Sequence, residues 1–384
     1  MRYADIVHRC FRCGYCKFTG DYTDFNCPTY RKFRFETYSP GGRMWLIRAW
    51  LNQEIENSDR FQEILFSCAT CANCVEHCVF TFSDDLVNIF ISAREEMVGK
   101  GIIPPPVRDY FKNITISGNP YKEPAADRGR WAEGIPVETY TDQEYLFYVG
   151  CAGSYDERAK KIARAVCGLL LKAGVSMGIL GERELCDGNE VRSLGEAGLF
   201  ELLAGRNVEM FKELGIKKIV TLDPHAFNVF KNDYPDLGGE FEVYHYTQIL
   251  WSLIQAGRVP LEGSGLKVTF HDPCYLGRHN GEYRAPRDIL KAVPGLELTE
   301  MERNRENAFC CGGGGGNFFT DILGGGEDSP ARIRVRDALD SGAETVAVAC
   351  PQCARMLGDA VNAEGLEDRL VVRDIAEILM DCLL

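Results

Sequence analysis

Thirteen of the seventeen cysteines in this 384-residue chain fall into sets whose spacing suits metal ligation. Near the N-terminus there are two CxxCxxC runs, each followed by one further cysteine. The members are Cys10, Cys13, Cys16, Cys27, Cys68, Cys71, Cys74 and Cys78. This pattern is typical of modules that bind two iron-sulfur clusters, because three thiolates two residues apart wrap one face of a cube and the fourth ligand comes from the other run.

This exchange of the fourth ligand assigns each cysteine to a cluster. The first set, Cys10, Cys13, Cys16 and Cys78, is predicted to hold one cubane [4Fe-4S] cluster, and the second set, Cys68, Cys71, Cys74 and Cys27, the other. Two details depart from the usual pattern: ten residues separate Cys16 from Cys27, and Val79 takes the place of the proline after the last cysteine. Structural zinc is the alternative, because CxxC pairs also bind zinc, but two matched CxxCxxC runs favour iron and sulfide.

A third set of five cysteines lies in the C-terminal part of the chain. Its members are Cys274, Cys310, Cys311, Cys350 and Cys353. A predicted strand at 267–271 leads to Cys274 and another at 345–349 leads to Cys350. Open α/β sheets bind ligands where their strands end, so we expect these thiolates to converge on one site. A helix starting near Gln352 would point its positive end at the anionic cluster.

Two further features bear on the third set. Gly312 and Gly313 begin a run of five glycines, which would let backbone N–H groups approach the cluster sulfurs and raise the cluster potential; a flexible linker is the alternative. His271 lies three residues before Cys274, where it either donates a hydrogen bond to the cluster, moves a proton, or has only a structural role. The structural role is favoured for His245. No catalytic residue is assigned beyond His271 as a candidate.

The C-terminal part repeats itself. Between Cys274 and Cys310 there are 35 residues, and between Cys151 and Cys186 there are 34. This match indicates a duplication in which the first copy lost ligands, since Asp187, Asp223 and Ala226 stand where cysteines would be. We expect the first copy to be empty and structural, with iron ligation by Asp223 or His225 as the alternative. Cys151 and Cys186 are then remnants, and Cys167 and Cys382 are expected to be core residues.

The elements around these cysteines define an α+β multi-domain fold. Apolar residues at helical spacing predict a helical hairpin over 43–66 and a helix from Ser83 to Gly99. From Tyr145 onward, strands alternate with helices, which is typical of α/β units with a mostly parallel sheet. We therefore predict four segments: a mostly helical two-cluster ferredoxin-type module (1–98), a Pro/Gly-rich surface linker (99–143), a degenerate repeat (144–262) and an intact repeat (263–384).

Composition narrows the class of partner. The chain is 45% hydrophobic and 26% charged, which supports sizeable folded cores, and its net charge of −13 argues against a nucleic-acid partner. Residues 1–50 instead hold nine Arg or Lys against four Asp or Glu. This basic segment either offsets the charge of the clusters, docks an acidic partner, or is a solvated surface. No stretch reads as a signal peptide or a membrane span, and the spaced cysteines suit a reducing compartment, so we expect a cytoplasmic protein.

The third set also carries a family resemblance. The pattern of Cys274, Cys310-Cys311-Gly312 and Cys350 to Cys353 resembles the CCG domain of heterodisulfide reductase. A ferredoxin module ahead of two CCG repeats is similar to one subunit of that enzyme and to the iron-sulfur subunit of glycolate oxidase. Further matching segments are Cys27-Pro28-Thr29-Tyr30, Gly42-Arg43, Asn119-Pro120 and His271-Asp272-Pro273-Cys274. The resemblance implies that the five CCG cysteines hold a noncubane [4Fe-4S] cluster. Relatives that cleave a disulfide use two facing CCG sites; only one is complete here, so three clusters are expected.

Together these features predict an iron-sulfur electron-transfer subunit of an anaerobic oxidoreductase complex. The chain contains no convincing dinucleotide motif, so flavin and nicotinamide are expected on partner subunits, with a flavoprotein or a ferredoxin-like protein as the electron partner. The class II benzoyl-coenzyme A reductase complex is the favoured assembly. The alternatives are a flavin-linked dehydrogenase of 2-hydroxy acids such as glycolate or lactate, an electron-bifurcating assembly, a sulfite-reduction complex, and a thiol or disulfide reductase that works at the noncubane cluster itself.

Overall fold

The computed structural model describes all 384 residues and begins with a mostly helical module. Its helices, and the one that follows it, are α1 (Pro28–Phe33), α2 (Pro40–Leu51), α3 (Asp59–Phe66), α4 (Asn73–His77), α5 (Leu86–Gly99) and α6 (Pro105–Ser117). Helices α2 and α3 form the predicted hairpin, and Ser39 and Ser58 cap them by accepting hydrogen bonds from backbone N–H groups in their first turns. The helical character of the module is as the sequence predicts.

The first α/β unit contains a five-stranded sheet. Its elements are β1 (Glu138–Thr139), β2 (Tyr145–Tyr148), α7 (Gly150–Tyr155), α8 (Glu157–Lys172), β3 (Met177–Ile179), α9 (Asn189–Ser193), α10 (Ala197–Glu213), β4 (Lys218–Thr221), α11 (Pro224–Asn232), β5 (Glu242–His245) and α12 (Tyr246–Gln255). The strands run in the order β1-β3-β2-β4-β5, and every neighbouring pair is parallel.

The second α/β unit repeats this order. Its elements are β6 (Lys267–Phe270), α13 (Arg284–Ala292), β7 (Glu297–Leu298), α14 (Asn317–Thr320), α15 (Pro330–Asp340), β8 (Thr345–Val348), α16 (Pro351–Glu364), β9 (Val371–Asp374) and α17 (Ile375–Asp381). The order β7-β6-β8-β9 is again all parallel and matches β3-β2-β4-β5 of the first sheet, which confirms the predicted parallel α/β repeats. None of the chain's helices is both long and apolar enough to cross a membrane.

The two repeats share one hydrophobic core. Helix α12 of the first repeat packs on α13 of the second, and α17 of the second packs on α8 of the first. Polar contacts cross the same boundary: the hydroxyl of Tyr246 donates to Asp374 over 2.6 Å, and Arg158 pairs with Glu377 over 2.5 Å. Because each repeat covers the other's apolar faces, the degenerate repeat is needed to complete the fold of the intact one.

The segment predicted as a linker differs from the expectation, because residues 105–117 form helix α6. Proline is compatible with the first turn of a helix, where the missing N–H has no intrahelical partner. Pro104 precedes α6, and Pro105 and Pro106 lie in its first turn, so the triple proline starts the helix instead of preventing it. The helix buries one apolar face, formed by Val107, Tyr110, Phe111 and Ile114. Strand β1, from the same segment, extends the first sheet. The predicted domain boundaries themselves stay predictions.

Candidate metal centres

The first set of cysteines lines a single small cavity. Cys10, Cys13, Cys16 and Cys78 contribute to its wall together with apolar side chains from α2 and from the chain after Cys78. Gly14, with a φ of +90°, turns the chain between Cys13 and Cys16. Burial raises the pKa of the Cys16 thiol, and its neighbours Cys27, Cys78 and Cys10 raise it further. Cys13 is the one member of this set that is exposed to solvent.

The second set lies deeper. Cys27, Cys71 and Cys74 are buried, and Cys68 is half-buried. Residues Thr70 and Ala72, with φ of +47° and +60°, turn the chain between the cysteines of this set. Burial raises the pKa of Cys74, and the other members of the set, together with Cys16 of the first set, raise it further.

A buried arginine stabilises the second set. Arg43 is fully buried, and its guanidinium donates to the carbonyl oxygens of Tyr38 and Ile64 and to the hydroxyl of Thr29. Burial raises the pKa of the nearby Cys27 thiol, whereas the positive charge of Arg43 lowers it. Arg43 therefore places one compensating cation beside a thiolate-rich site.

The third set converges as the strand pattern indicates. Cys274 follows β6, Cys350 follows β8 and caps the N-terminus of α16, and Cys353 lies in the first turn of that helix. The sulfurs of Cys311 and Cys353 are 3.5 Å apart, and the backbone N–H of Cys353 points at the Cys350 sulfur over 3.4 Å. All five side chains are buried, with exposed fractions between 0 and 8%. The five sulfurs are therefore gathered at the carboxyl ends of two neighbouring strands.

The second and third sets touch. Cys71, Cys274 and Cys310 belong to one small buried cluster with Ala69 and Tyr275. The neighbouring Cys310 is the largest influence on the Cys71 thiol and, together with burial, raises its pKa well above the ordinary value. Two cysteines from different sets, more than two hundred residues apart in sequence, are thus direct neighbours.

The glycine run has two roles. The N–H of Gly312 points at the Cys310 sulfur over 3.3 Å, close to the predicted use of these glycines. Gly314 and Gly315 instead press against the second set, because a β-carbon on Gly314 would lie 2.5 Å from the carbonyl oxygen of Ala69 and one on Gly315 would collide with that of Cys68. These glycines therefore allow the third set to approach the second.

Arg94 joins the N-terminal module and the two repeats where the second and third cysteine sets meet. The sequence pattern did not predict this role. The side chain is fully buried and donates to the carbonyl oxygens of Leu65, Phe66, Cys68, Ser193 and Gly315. Those carbonyls come from the N-terminal module, the first repeat and the second repeat. Burial lowers the pKa of Arg94 to about 10, so it still carries a positive charge at neutral pH.

The two histidines singled out in the sequence are both buried. The Nδ1 of His271 accepts a hydrogen bond from Arg334 over 3.1 Å, and the ring lies within 4.8 Å of the sulfurs of Cys311 and Cys353. Burial lowers the pKa of His271. His245 caps α12 beside Thr247 and contacts the backbone of Ala349, and burial lowers its pKa to about 3. Of the two, only His271 has the position for a hydrogen bond to a ligand of the third set.

An arginine from the segment before the first repeat lies beside Cys151, the first repeat's counterpart of Cys274. The guanidinium of Arg128 donates to the Cys151 sulfur over 3.3 Å and pairs with Glu184 over 3.4 Å, and all three side chains are buried. Glu184 in turn accepts two backbone N–H groups at the end of β2. Asp223 caps α11 by accepting from the N–H of His225 and thus replaces Cys350 as a capping residue. This ion pair fits the expectation of a structural first repeat.

His225 of the first repeat nevertheless faces the third set. Asp223, His225 and Cys350 present ligand atoms within 4.8 Å of one another. The Nδ1 of His225 donates to Glu190 over 2.5 Å. Burial raises the pKa of the Cys350 thiol, but hydrogen bonds with Cys353 and His225 outweigh burial and lower this pKa to about 6. The motif containing His225 was visible in the sequence, but its meeting with Cys350 depends on how the two repeats pack.

Comparison with known protein families matches the N-terminal module and both repeats. A 4Fe-4S dicluster domain model matches residues 6–81, and a Cysteine-rich domain model matches residues 145–231 and 268–358. A chain of the dihydromethanophenazine:CoB–CoM heterodisulfide reductase from Methanosarcina barkeri is 33% identical over 97% of this chain and 93% of its own length.

Two other relatives are longer than this chain. The probable iron-sulfur-binding oxidoreductase FadF of Bacillus subtilis is 39% identical over 84% of this chain and 47% of its own length. The EtfAB:quinone oxidoreductase of Syntrophomonas wolfei is 38% identical over 83% of this chain and 46% of its own length. The chain therefore spans about half the length of these relatives. A crystal structure of a hypothetical protein from Helicobacter pylori shares the fold, with a TM-score of 0.57 over 90% of this chain and 67% of that chain at 12% identity.

Proposed function

Because this chain belongs to the CCG-domain family of iron-sulfur oxidoreductases that includes heterodisulfide reductase, we propose that it is the electron-transfer subunit of an anaerobic redox complex. Electrons pass between a flavoprotein or ferredoxin-like partner and a redox site through two cubane clusters and one noncubane [4Fe-4S] cluster. The observation that carries this proposal is the contact between Cys71 and Cys310, since it joins the second set to the third.

The donor sets fit these cofactors. Each of the first two sets offers four thiols, the third offers five, and thiolate is the ligand that iron-sulfur clusters require. The N–H groups of Gly312 and Cys353 point at sulfurs of the third set, as suits a thiolate-rich anion. When bound, the clusters supply one-electron transfer. The chain's own residues fix the thiolates, exclude water from the second and third sets, and place Arg43 as a nearby positive charge.

The exposure of the three sets supports an order of transfer. Cys13 opens the first set to solvent, whereas every member of the third set is buried. Cys16 and Cys74 are neighbours between the first and second sets, and Cys71 and Cys310 between the second and third. We therefore propose that an external partner exchanges electrons at the first set and that the third set is the inner end of the chain.

In this proposal the partner chains determine which molecule is the final electron acceptor. One relative is named for a quinone and another for a heterodisulfide, which supports a shared conduit coupled to different acceptors. Neither name points to benzoyl-coenzyme A reductase, so that complex stays a prediction from the sequence, as do the 2-hydroxy acid dehydrogenases and the cytoplasmic location. Further subunits are expected to carry flavin and the substrate site.

Reduction of a thiol or disulfide substrate at the third set is the second candidate function. One observation favours access to this region: a cavity of about 420 Å³ reaches Tyr275 and His279, next to Cys274. None of the five cysteines lines that cavity, however, and Arg128 occupies the first repeat's equivalent of the third site. A substrate there would stay one layer of side chains away from the sulfurs, which favours the conduit.

Anaerobic purification from the native host tests the proposal. We expect a flavoprotein to co-purify, and its reduced form to reduce the third cluster, as followed by electron paramagnetic resonance. A disulfide that changes the third cluster's signal in the isolated chain would instead support the second candidate. Zinc without acid-labile sulfide would overturn both.

A further inference from the structure

The surface around the first set combines exposed apolar side chains with unpaired arginines. Phe11, between two ligands of the set, is 76% exposed, and Val79, directly after Cys78, is 58% exposed. Arg12 and Arg48 both lie over the ring of Trp45, at 4.1 and 4.8 Å from its centroid. The indole N–H of Trp45 donates to the carbonyl oxygen of Cys10 over 2.8 Å, which ties these arginines to the cluster loop.

The charges on this surface are unbalanced. Neither Arg12 nor Arg48 forms an ion pair, although ion pairs are frequent elsewhere on the chain. The nearby Lys17 is paired with Glu36, and Arg9 lies 3.9 Å from Asp5. An exposed apolar centre with a cationic rim, on a chain of net charge −13, has the chemistry that suits a partner of opposite charge.

We propose that this surface, defined by Phe11, Val79, Arg12 and Arg48 around Cys13, docks an acidic redox protein. The inference rests on the proposed function, because it names the partner class of the outer cluster. The acidic face of the partner meets the two arginines, and its apolar centre covers Phe11 and Val79 while one electron passes between the two proteins.

Charged inorganic oxidants test the surface without the partner. The holoprotein, reduced under anaerobic conditions, is mixed with hexacyanoferrate(III) or with tris(phenanthroline)cobalt(III), each of which takes up one electron from the first cluster. We expect the anionic oxidant to oxidise the first cluster faster than the cationic one, and this difference to shrink as salt is added. Arg48→Glu should slow oxidation by the anion roughly three- to ten-fold. Arg206→Glu is the matched control, because Arg206 is exposed and unpaired on α10.

Equal rates for Arg48→Glu and Arg206→Glu, or no dependence on salt, would overturn the docking surface and leave the conduit standing. Loss of electron exchange between the first and third clusters would instead overturn the proposed function. A concentration-dependent dimer that Arg48→Glu abolishes would show that the surface binds a second copy of this chain. That result would also overturn the proposal of an acidic partner.

A separate set of contacts gives the degenerate repeat a role at the third cluster. His225 stacks on Tyr275, with ring centroids 4.1 Å apart and planes at 23°, and Tyr275 follows the ligand Cys274. The Nδ1 of His225 lies 2.5 Å from a carboxylate oxygen of Glu190, as suits an ion pair with a protonated imidazole, so the Nε2–H of the same ring is the donor available to the Cys350 sulfur. Glu190 is itself held by the N–H of Gly316 over 2.6 Å, from the glycine run of the second repeat. The ring is therefore fixed on both sides.

We infer that His225 is a positioning residue that donates a hydrogen bond to the thiolate of Cys350 and raises the reduction potential of the third cluster. Partners that orient a hydrogen bond to a metal ligand commonly tune the metal in this way. The first repeat, after losing its own thiolates, would thus supply a hydrogen-bond donor to the cluster of the second.

The midpoint potential of the third cluster tests this inference, with the two cubane clusters as internal controls. In His225→Phe, which keeps an aromatic ring against Tyr275 but no donor, we expect a lower potential for the third cluster alone. His225→Gln, which keeps an N–H donor, should restore most of the shift. An unchanged potential in His225→Phe at full iron content would overturn the inference. Loss of the third cluster in both variants would overturn it too, because the role would then be structural.

Discussion

The thiol of Cys71 lies beside the thiol of Cys310, although one belongs to the ferredoxin-type module and the other to the second repeat. This contact depends on a close approach of two loops, the one from Cys68 to Cys71 and the one from Cys310 to Gly316. The second and third cysteine sets are consequently positioned by one interface, and we expect changes at that interface to affect electron transfer and stability together.

The approach of the two loops depends on Gly315. Its φ is +62°, and a β-carbon there would collide with the carbonyl oxygen of Cys68. We expect Gly315→Ala to destabilise the holoprotein by about 1–3 kcal/mol, as measured by urea unfolding under anaerobic conditions. Gly325→Ala is the control, because no atom lies within 4 Å of a β-carbon at Gly325, and it should change stability by less than about 0.5 kcal/mol. Equal effects of the two substitutions would contradict the close-approach role.

Arg94 should be the most costly arginine to replace. Arg94→Lys keeps the charge but cannot reach carbonyls from all three parts of the chain, so we expect a loss of at least about 3 kcal/mol. The exposed Arg206→Lys serves as the matched control and should be near neutral. A small effect for Arg94→Lys in the same unfolding measurement would mean that the junction is held by packing alone.

The inter-repeat contact at Asp374 predicts a pH dependence. Burial raises the pKa of Asp374 to about 7, and its carboxylate accepts from the hydroxyl of Tyr246. The folded state therefore binds a proton on the Asp374 carboxyl more tightly than the unfolded state does. The stability that this proton contributes is complete below the ordinary pKa of an aspartate and is lost as the pH rises to 7. From about pH 5.5 to 7, stability should fall by up to about 1.4 kcal/mol per pH unit, and the contribution levels off above that range.

Asp374→Asn isolates that effect, because the amide resembles the protonated carboxyl and does not titrate. We expect the variant to show a flatter stability profile than the wild type, measured by urea unfolding, and to gain stability relative to it at about pH 8. Parallel profiles for the two proteins would assign the pH dependence to another group.

The assignment of the third set is tested by Cys311→Ala. We expect the iron content to fall from about 12 to about 8 atoms per chain and one paramagnetic signal to disappear, while the two cubane signals remain. Cys167→Ala is the control, since Cys167 is a buried core residue of α8, away from the three sets. Loss of iron from the module in Cys311→Ala would contradict the separation of the sets.

Sequence spacing predicted the three cysteine sets and the parallel repeats because local patterns determine both. Cys350, for example, ends a buried strand and starts a helix, and the sequence carries both signals. Arg94 and Arg128 escaped prediction because their partners are remote carbonyls, carboxylates and sulfurs that only the packed chain brings together. Helix α6 was missed because its starting prolines read as breakers.

We propose that electrons reach the third cluster through the second. Rapid-freeze electron paramagnetic resonance after reduction of the first cluster measures this directly, in wild type and in Cys71→Ser, a variant that disturbs the second set at its contact with Cys310. We predict that the third cluster's signal rises as the first cluster's signal decays in wild type, and that this rise slows by at least about tenfold in Cys71→Ser. Equal rates in the two proteins, at equal occupancy of the first and third clusters, would contradict the account.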